Sequence, residues 1–185
     1  MKRIILMIMT AAMLVSCGAA GKTGKTGKIK TTSMPGSELV ATPVPGAIRA
    51  WGMGISNNQM TAQKVAAASA RAQLSSTLES VVSTTVEDYC VVLTEGEIAR
   101  SKQFLNEKTK IVSQQQLNLS RPIFNQWERP DANGMWRCYV VYEISSKDYT
   151  NSLAKTVNES QGETNVGFDS NVFNELFLKN IASGK

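Results

Sequence analysis

The most constraining feature of the chain is a helical segment about thirty residues long that carries a single apolar stripe. Between residues 59 and 89, Ala67, Ala70, Leu74, Leu78, Val81, Thr85 and Tyr89 recur at steps of three or four. That spacing puts them on one face of a helix. A helix this long needs a partner along its whole stripe. The early part is alanine-rich, so whatever packs there comes close. The stripe suits either a groove for a partner helix or packing on the domain's own sheet, and an amphipathic helix ordinarily buries its apolar face within its own domain. Residues 47–55 before it read as a strand, with Ile48, Trp51, Met53 and Ile55 supplying apolar surface. Gly52 and Gly54 there permit close backbone approach, and Ser56-Asn57-Asn58 offers N-cap residues.

The pattern after the helix predicts smaller elements. Residues 91–110 place Glu95, Glu97, Arg100, Lys102, Glu107 and Lys108 around Ile98, Phe104 and Leu105, as in a second short helix with a polar outer face. Residues 111–128 read as extended, with Leu117, Leu119, Ile123 and Trp127 at even spacing on one face. Pro130-Asp131-Ala132-Asn133-Gly134 is turn chemistry. Residues 135–144 then alternate, with Trp136, Cys138, Val140, Tyr142 and Ile144 inward and Arg137 and Glu143 opposite. Residues 111–144 are therefore expected to form a hairpin. Tyr149, Leu153 and Val157 predict a helix over 146–159, and residues 160–167 read as loop. Asp169 can cap a last helix carrying Val172, Phe173, Leu176, Phe177 and Ile181. That aromatic side either covers the domain's core or meets another protein, and a chain of this size buries only one modest core. The expected fold class is α+β, a small antiparallel sheet packed on a long helix. The domain covers residues 47–185, with a C-terminal helical extension from about residue 146.

The N-terminus carries the parts of an export signal. Lys2 and Arg3 precede an apolar run over residues 4–14, interrupted only by Thr10. The run is shorter than the roughly 20 residues a bilayer span needs. Leu14-Val15-Ser16-Cys17 follows and resembles the lipobox of bacterial lipoproteins. In those proteins a diacylglyceryl group is placed on the cysteine sulfur and the chain is cut before it. The resemblance implies a signal peptide over residues 1–16, lipidation of Cys17, and a tether over residues 17–46. The competing reading is an ordinary secretory signal with Cys17 an incidental thiol. Two acyl chains already anchor a protein stably, each buried CH₂ contributing about 0.8 kcal/mol. The tether repeats Gly, Lys and Thr from Gly21 to Lys28 and is stiffened by Pro35, Pro43 and Pro45. A flexible chain of that length reaches roughly 30 Å.

Charge points away from nucleic acid. The net charge is +5, but Lys2 and Arg3 belong to the signal and Lys22, Lys25, Lys28 and Lys30 to the tether. Without these six cations the remainder carries −1, so the domain has no excess of cations for phosphates. The tether lysines suit either anionic lipid head groups or plain solubility. The Gly-Lys-Thr repeat lacks the glycine five residues upstream, the preceding strand and the following helix that a phosphate loop requires.

No catalytic constellation is legible. The chain has no histidine, which removes Ser-His-Asp and Cys-His arrangements and the commonest metal ligand. Cys90 and Cys138 lack metal spacing, so neither metal nor cofactor is expected. Carboxylate chemistry by Glu79 with Glu87 or Asp88 remains formally open, but charges on an amphipathic helix are more often solvated. Cys90 and Cys138 are candidates for a disulfide in an oxidising compartment, the alternative being two buried thiols.

Two segments carry a further resemblance: Ala50-Trp51-Gly52-Met53-Gly54, and Ala66-Ala67-Ala68-Ser69-Ala70-Arg71-Ala72-Gln73-Leu74. Trp127 and Cys138-Tyr139-Val140-Val141 extend it, so that it covers about residues 47–145. Over this stretch the chain resembles the Helicobacter-type twenty-kilodalton lipoprotein family, which has relatives in Bacteroidota, and is similar to the N-terminal domain of the flagellar T-ring assembly protein. The resemblance implies a curved antiparallel sheet on a long helix, residence in the envelope and no enzymatic activity. It transfers no functional residue. The expected function is a membrane-anchored, non-enzymatic interaction or scaffold module, held by its N-terminal lipid and meeting a protein partner or a second copy. The alternatives are a binding protein for a small apolar ligand and a surface protein that contacts a host. Surface export in Bacteroidota uses acidic residues just after the lipidated cysteine. Gly18-Ala19-Ala20-Gly21-Lys22 has none, which favours the periplasmic face of the outer membrane.

Overall fold

The computed structural model describes residues 33–93, 98–129, 134–160 and 167–184. Their fold is α+β. Strand β1 (Ala47–Ser56) leads into α2 (Gln59–Val92), which Asn58 caps by accepting from the Thr61 amide. Helix α3 (Ile98–Leu119), the hairpin strands β2 (Arg121–Glu128) and β3 (Trp136–Ser145), α4 (Ser146–Glu159) and α5 (Ser170–Ser183) follow. A one-turn helix, α1 (Glu38–Ala41), precedes β1. The sheet is antiparallel in the order β1-β3-β2, so the strand most distant in sequence from β1 is its direct neighbour.

Close packing of α2 on the sheet follows from residue size. Ala62, Ala66 and Ala70 are fully buried one turn apart and face Gly52 and Gly54. A Cβ added at Gly54 would lie 2.5 Å from the Ala66 amide nitrogen and would also strike the Ala62 carbonyl. Ala67, placed on the stripe by the sequence pattern, is only half-buried. At 34 residues the helix runs about 51 Å, well beyond the roughly 33 Å of a ten-residue strand. Its second half, from Leu74 to Cys90, therefore buries larger side chains against α3 and α5.

Three expectations change. The second helix does not stop at residue 110, and residues 111–119 are not extended: α3 runs to Leu119, so the hairpin begins only at Arg121. The helical period was concealed because polar Ser101, Thr109, Ser113 and Gln116 share the buried face with Phe104, Leu105 and Val112. The turn residues 130–133 lie outside the described residues. Next, residues 33–46, expected as tether, belong to the same compact unit as the strands and helices. Finally, α4 and α5 are part of the core rather than an extension. Tyr149, Leu153, Val157, Phe173 and Phe177 are fully buried, and the Tyr149 and Phe177 rings stack at 4.9 Å. The aromatic side of the last helix thus covers the domain's own interior.

The buried hydroxyls and amide that join these helices are paired, as burial requires. The Tyr149 hydroxyl meets Ser113 Oγ at 3.1 Å and donates to the Thr109 carbonyl. Asn180 Nδ2 donates to Thr85 Oγ1 and Asp88 Oδ2. The Asp169 amide donates to the Tyr89 hydroxyl at 2.7 Å, while the Asp169 carboxylate caps α5.

Candidate functional site

Strand alternation divides the sheet. Ile48, Ala50, Gly52 and Gly54 of β1 and Cys138, Val140, Tyr142 and Ile144 of β3 are buried on the side of α2. Arg49, Trp51, Met53 and Ile55 point the other way, beside Arg137, Tyr139, Val141 and Glu143 of β3 in register. Phe124, Gln126 and Glu128 of β2 complete this outer face. Sequence alternation placed Arg137 and Glu143 there correctly, but Tyr139 and Val141 are buried too, so β3 is covered on both sides.

Much of that cover is the segment 33–46, expected to be tether. It lies across the outer face as a strap. Trp51 Nε1 donates to the Pro35 carbonyl at 2.9 Å. Gly36 sits against the Phe124 ring at φ +79°, where a Cβ would approach the ring to 2.6 Å, so both its backbone angle and its contact call for glycine. Arg49 Nε bonds Glu143 Oε2 at 2.7 Å, and its Nη1 reaches the Leu39 carbonyl at 3.5 Å. Val44 bridges back to Ala47 where the strap becomes β1. The prolines that suggested a linker are compatible with this course, because the strap needs only a few anchoring hydrogen bonds. Missing from the sequence pattern was any sign that Trp51, an outward residue, had a carbonyl to meet.

Under the strap, the Trp51 and Tyr139 rings lie 6.1 Å apart. The Tyr139 hydroxyl donates to Glu128 Oε2 at 2.8 Å. Burial raises its pKa, and the Glu128 carboxylate raises it further. Along the β1 edge, strap, α2 and the end of α5 enclose an open cavity of about 220 Å³. Leu39, Val44, Ile48, Val81 and Ile181 contribute apolar side chains to its wall, and Thr42, Arg49 and Thr77 polar ones.

The other candidates do not assemble into a reactive centre. Glu79 accepts from Ser75 Oγ at 3.1 Å in a polar groove between α2 and α3. Glu87 pairs with Lys102 at 3.5 Å on the surface, and Asp88 accepts from Asn180. Glu79 is separated from Glu87 and Asp88 by about 12 Å of helix axis. Among the described residues, no group of three His, Cys, Asp or Glu side chains is placed to hold a metal ion.

The cysteine pair is a correction. Cys90 and Cys138 are both buried free thiols. Cys138 opposes Gly54 in the sheet, next to Ala62 and Ala66 at the start of α2. Cys90 lies at the far end of that helix, about 36 Å or more along its axis. A disulfide requires Cα atoms within about 7 Å. Burial raises both thiol pKa values, Lys102 partly opposing the shift at Cys90, and Cys138 Sγ instead donates to Asn125 Oδ1. Cys17 lies outside the described residues.

No protein-family model, no curated protein and no solved structure matches this chain. Among the described residues no helix is long and apolar enough to cross a membrane.

Proposed function

We propose that this chain is a lipid-anchored, non-enzymatic interaction module of a bacterial cell envelope, facing the periplasm from the outer membrane. The observation that carries the reading is Leu14-Val15-Ser16-Cys17 at the end of a charged and then apolar N-terminal segment. A non-enzymatic role draws on a chain without histidine, whose candidate carboxylates are dispersed along α2. The module holds a protein partner, or a second copy of itself, near the membrane.

Replacing Cys17 by alanine tests the anchor. The variant is expected to accumulate as precursor or to leave the membrane fraction, and palmitate fed to cells should label only the parent protein. Normal processing and unchanged membrane partition of Cys17→Ala would defeat the reading. One observation favours a second function, the binding of a small apolar molecule: the cavity of about 220 Å³ beneath the strap. Apolar cavities of this order bind ligands of benzene size. A rise in melting temperature with short-chain alkanes or alkyl alcohols, abolished by Val81→Phe, would select it.

A further inference from the structure

We propose that the cleft between the N-termini of α4 and α5 binds an oxyanion, the phosphate or carboxylate group of a small hydroxylated molecule such as a sugar phosphate or a sugar acid. The inference does not depend on the lipid anchor.

The cleft is open, about 550 Å³ in volume, and walled by α4, α5 and the turn at Pro45-Gly46. It shares no lining residue with the cavity beneath the strap. Thr150 Oγ1 of α4 donates to Asn174 Oδ1 of α5 at 3.0 Å, tying the two helices together one turn in from their starts. Ser146 and Ser170, the first residues of the two helices, both line the cleft. Each helix is 14 residues long, so two N-terminal partial positive charges meet there.

The groups left open in the cleft point to the ligand. Ser146 is only 4% exposed, yet its hydroxyl has no hydrogen-bond partner among the described residues. Its backbone is engaged instead: the amide donates to the Gly46 carbonyl at 2.8 Å, and the carbonyl accepts from Thr150 Oγ1. A Cβ added at Gly46, in the cleft wall, would meet Ser146 Oγ at 3.4 Å and no other atom within 4 Å. The hydroxyl therefore faces the cleft across a bare glycine. A buried hydroxyl without a partner is costly, and a ligand in the cleft supplies one.

The neighbouring groups are donors as well. Asp148 gives its amide to Ser145 Oγ, which leaves the Lys147 amide at the start of α4. Asp169 takes the Asn171 and Val172 amides, which leaves that of Ser170 at the start of α5. Asn174 has its carbonyl oxygen occupied by Thr150 and its NH₂ open. Lys147 is exposed and has no carboxylate partner among the described residues, and no Asp or Glu lines the cleft. Asp148 lines a different groove with Arg121 and Glu143, and Asp169 spends its carboxylate on the amides of α5. A hydroxyl, an ammonium group and open amides at two helix starts are all satisfied by one oxyanion. A water molecule takes about 30 Å³, so the cleft holds far more than a bare phosphate or carboxylate. Asn151 and Asn171, both exposed at its edge, offer donors and acceptors to hydroxyls on the rest of the molecule.

The test titrates the full chain, in detergent micelles at low salt, with glucose 6-phosphate, glucuronate, glucose and inorganic phosphate, followed by calorimetry. Glucose 6-phosphate or glucuronate is expected to bind saturably, the tighter of the two showing which oxyanion the cleft prefers. Glucose should bind at least about tenfold more weakly, and inorganic phosphate should compete. Lys147→Gln and Ser146→Ala should each weaken binding about tenfold or more, the loss of one charge-assisted hydrogen bond. Ser146→Ala should melt at or above the parent temperature, because its hydroxyl has no internal partner to lose. A Ser146→Ala protein that melts several degrees lower shows the hydroxyl already engaged and overturns the proposal. Equal affinity for glucose and glucose 6-phosphate, binding indifferent to both substitutions, or no saturable binding of either anionic sugar at millimolar concentration overturns it too.

Discussion

Replacing Gly54 by alanine adds one methyl group at the tightest point between sheet and helix. The new Cβ would stand 2.5 Å from the Ala66 nitrogen and 3.0 Å from Val65 Cβ, and would strike the Ala62 carbonyl oxygen. Two of those neighbours are backbone atoms of α2, so no rotamer change relieves the clash. Ordinary van der Waals contact needs α2 to retreat by about 1 Å. A gap of that size forfeits a quarter to a half of each dispersion contact along the interface, here the row Ala62, Ala66 and Ala70. Overpacking in cores costs about 1–3 kcal/mol, and a clash on backbone belongs at the upper end. At roughly 2–4 °C per kcal/mol for a domain of this size, a cost near 3 kcal/mol lowers the melting temperature by about 6–12 °C. Calorimetry or circular dichroism of Gly54→Ala beside Gly167→Ala measures it. A Cβ at Gly167 meets nothing within 4 Å, so that control should melt with the parent protein. If Gly54→Ala melts within about 2 °C of the parent, the helix is not seated on the sheet as closely as the reasoning demands.

Truncating Phe177 to alanine should cost about 3–5 kcal/mol in urea unfolding, as for a fully buried aromatic; a loss under about 1 kcal/mol would make α5 peripheral after all. Alkaline stability should reflect Tyr149 and Tyr89, whose pKa values burial raises above the ordinary 10.0. The neutral phenols are favoured in the folded state, so their contribution is complete below about pH 10 and is lost as pH climbs from there toward the raised values, by about 1.4 kcal/mol per pH unit for one such group. Urea midpoints of the parent should therefore fall more steeply than those of Tyr149→Phe above pH 10, and parallel profiles would count against the buried hydroxyl. Cys90 and Cys138 should react with iodoacetamide only on unfolding and appear as free thiols in non-reducing mass spectrometry. An intact mass lighter by a pair of hydrogens would contradict their placement.

Where sequence reading succeeded, the signal was local and strongly periodic. The stripe along α2, the alternation of β3, the Tyr149-Leu153-Val157 row of α4 and the Asp169 cap of α5 each follow from one element's own geometry, so each was legible without knowing its partner. The class α+β follows from their order. The length of α3, by contrast, depended on what covers it. Thr109, Ser113 and Gln116 read as surface residues until Tyr149 and Ser152 of α4 give them buried partners. Likewise Pro35, Pro43 and Pro45 look like linker residues until the Pro35 carbonyl meets Trp51 and Gly36 meets Phe124. The distance between Cys90 and Cys138 was equally invisible, since it is set by the length of α2 and the register of β1 with β3.

The amino-acid sequence by itself determined the elements whose apolar spacing is complete within one segment, together with the charged, apolar and cysteine-terminated N-terminus. Only the tertiary structure decided that residues 33–46 pack on the sheet, which polar faces are buried and what the outer sheet face carries. The physical reason is that burial and hydrogen-bond satisfaction belong to pairs of segments: a carbonyl at Pro35 and an indole at Trp51 mean nothing separately, and sixteen residues apart no local periodicity connects them.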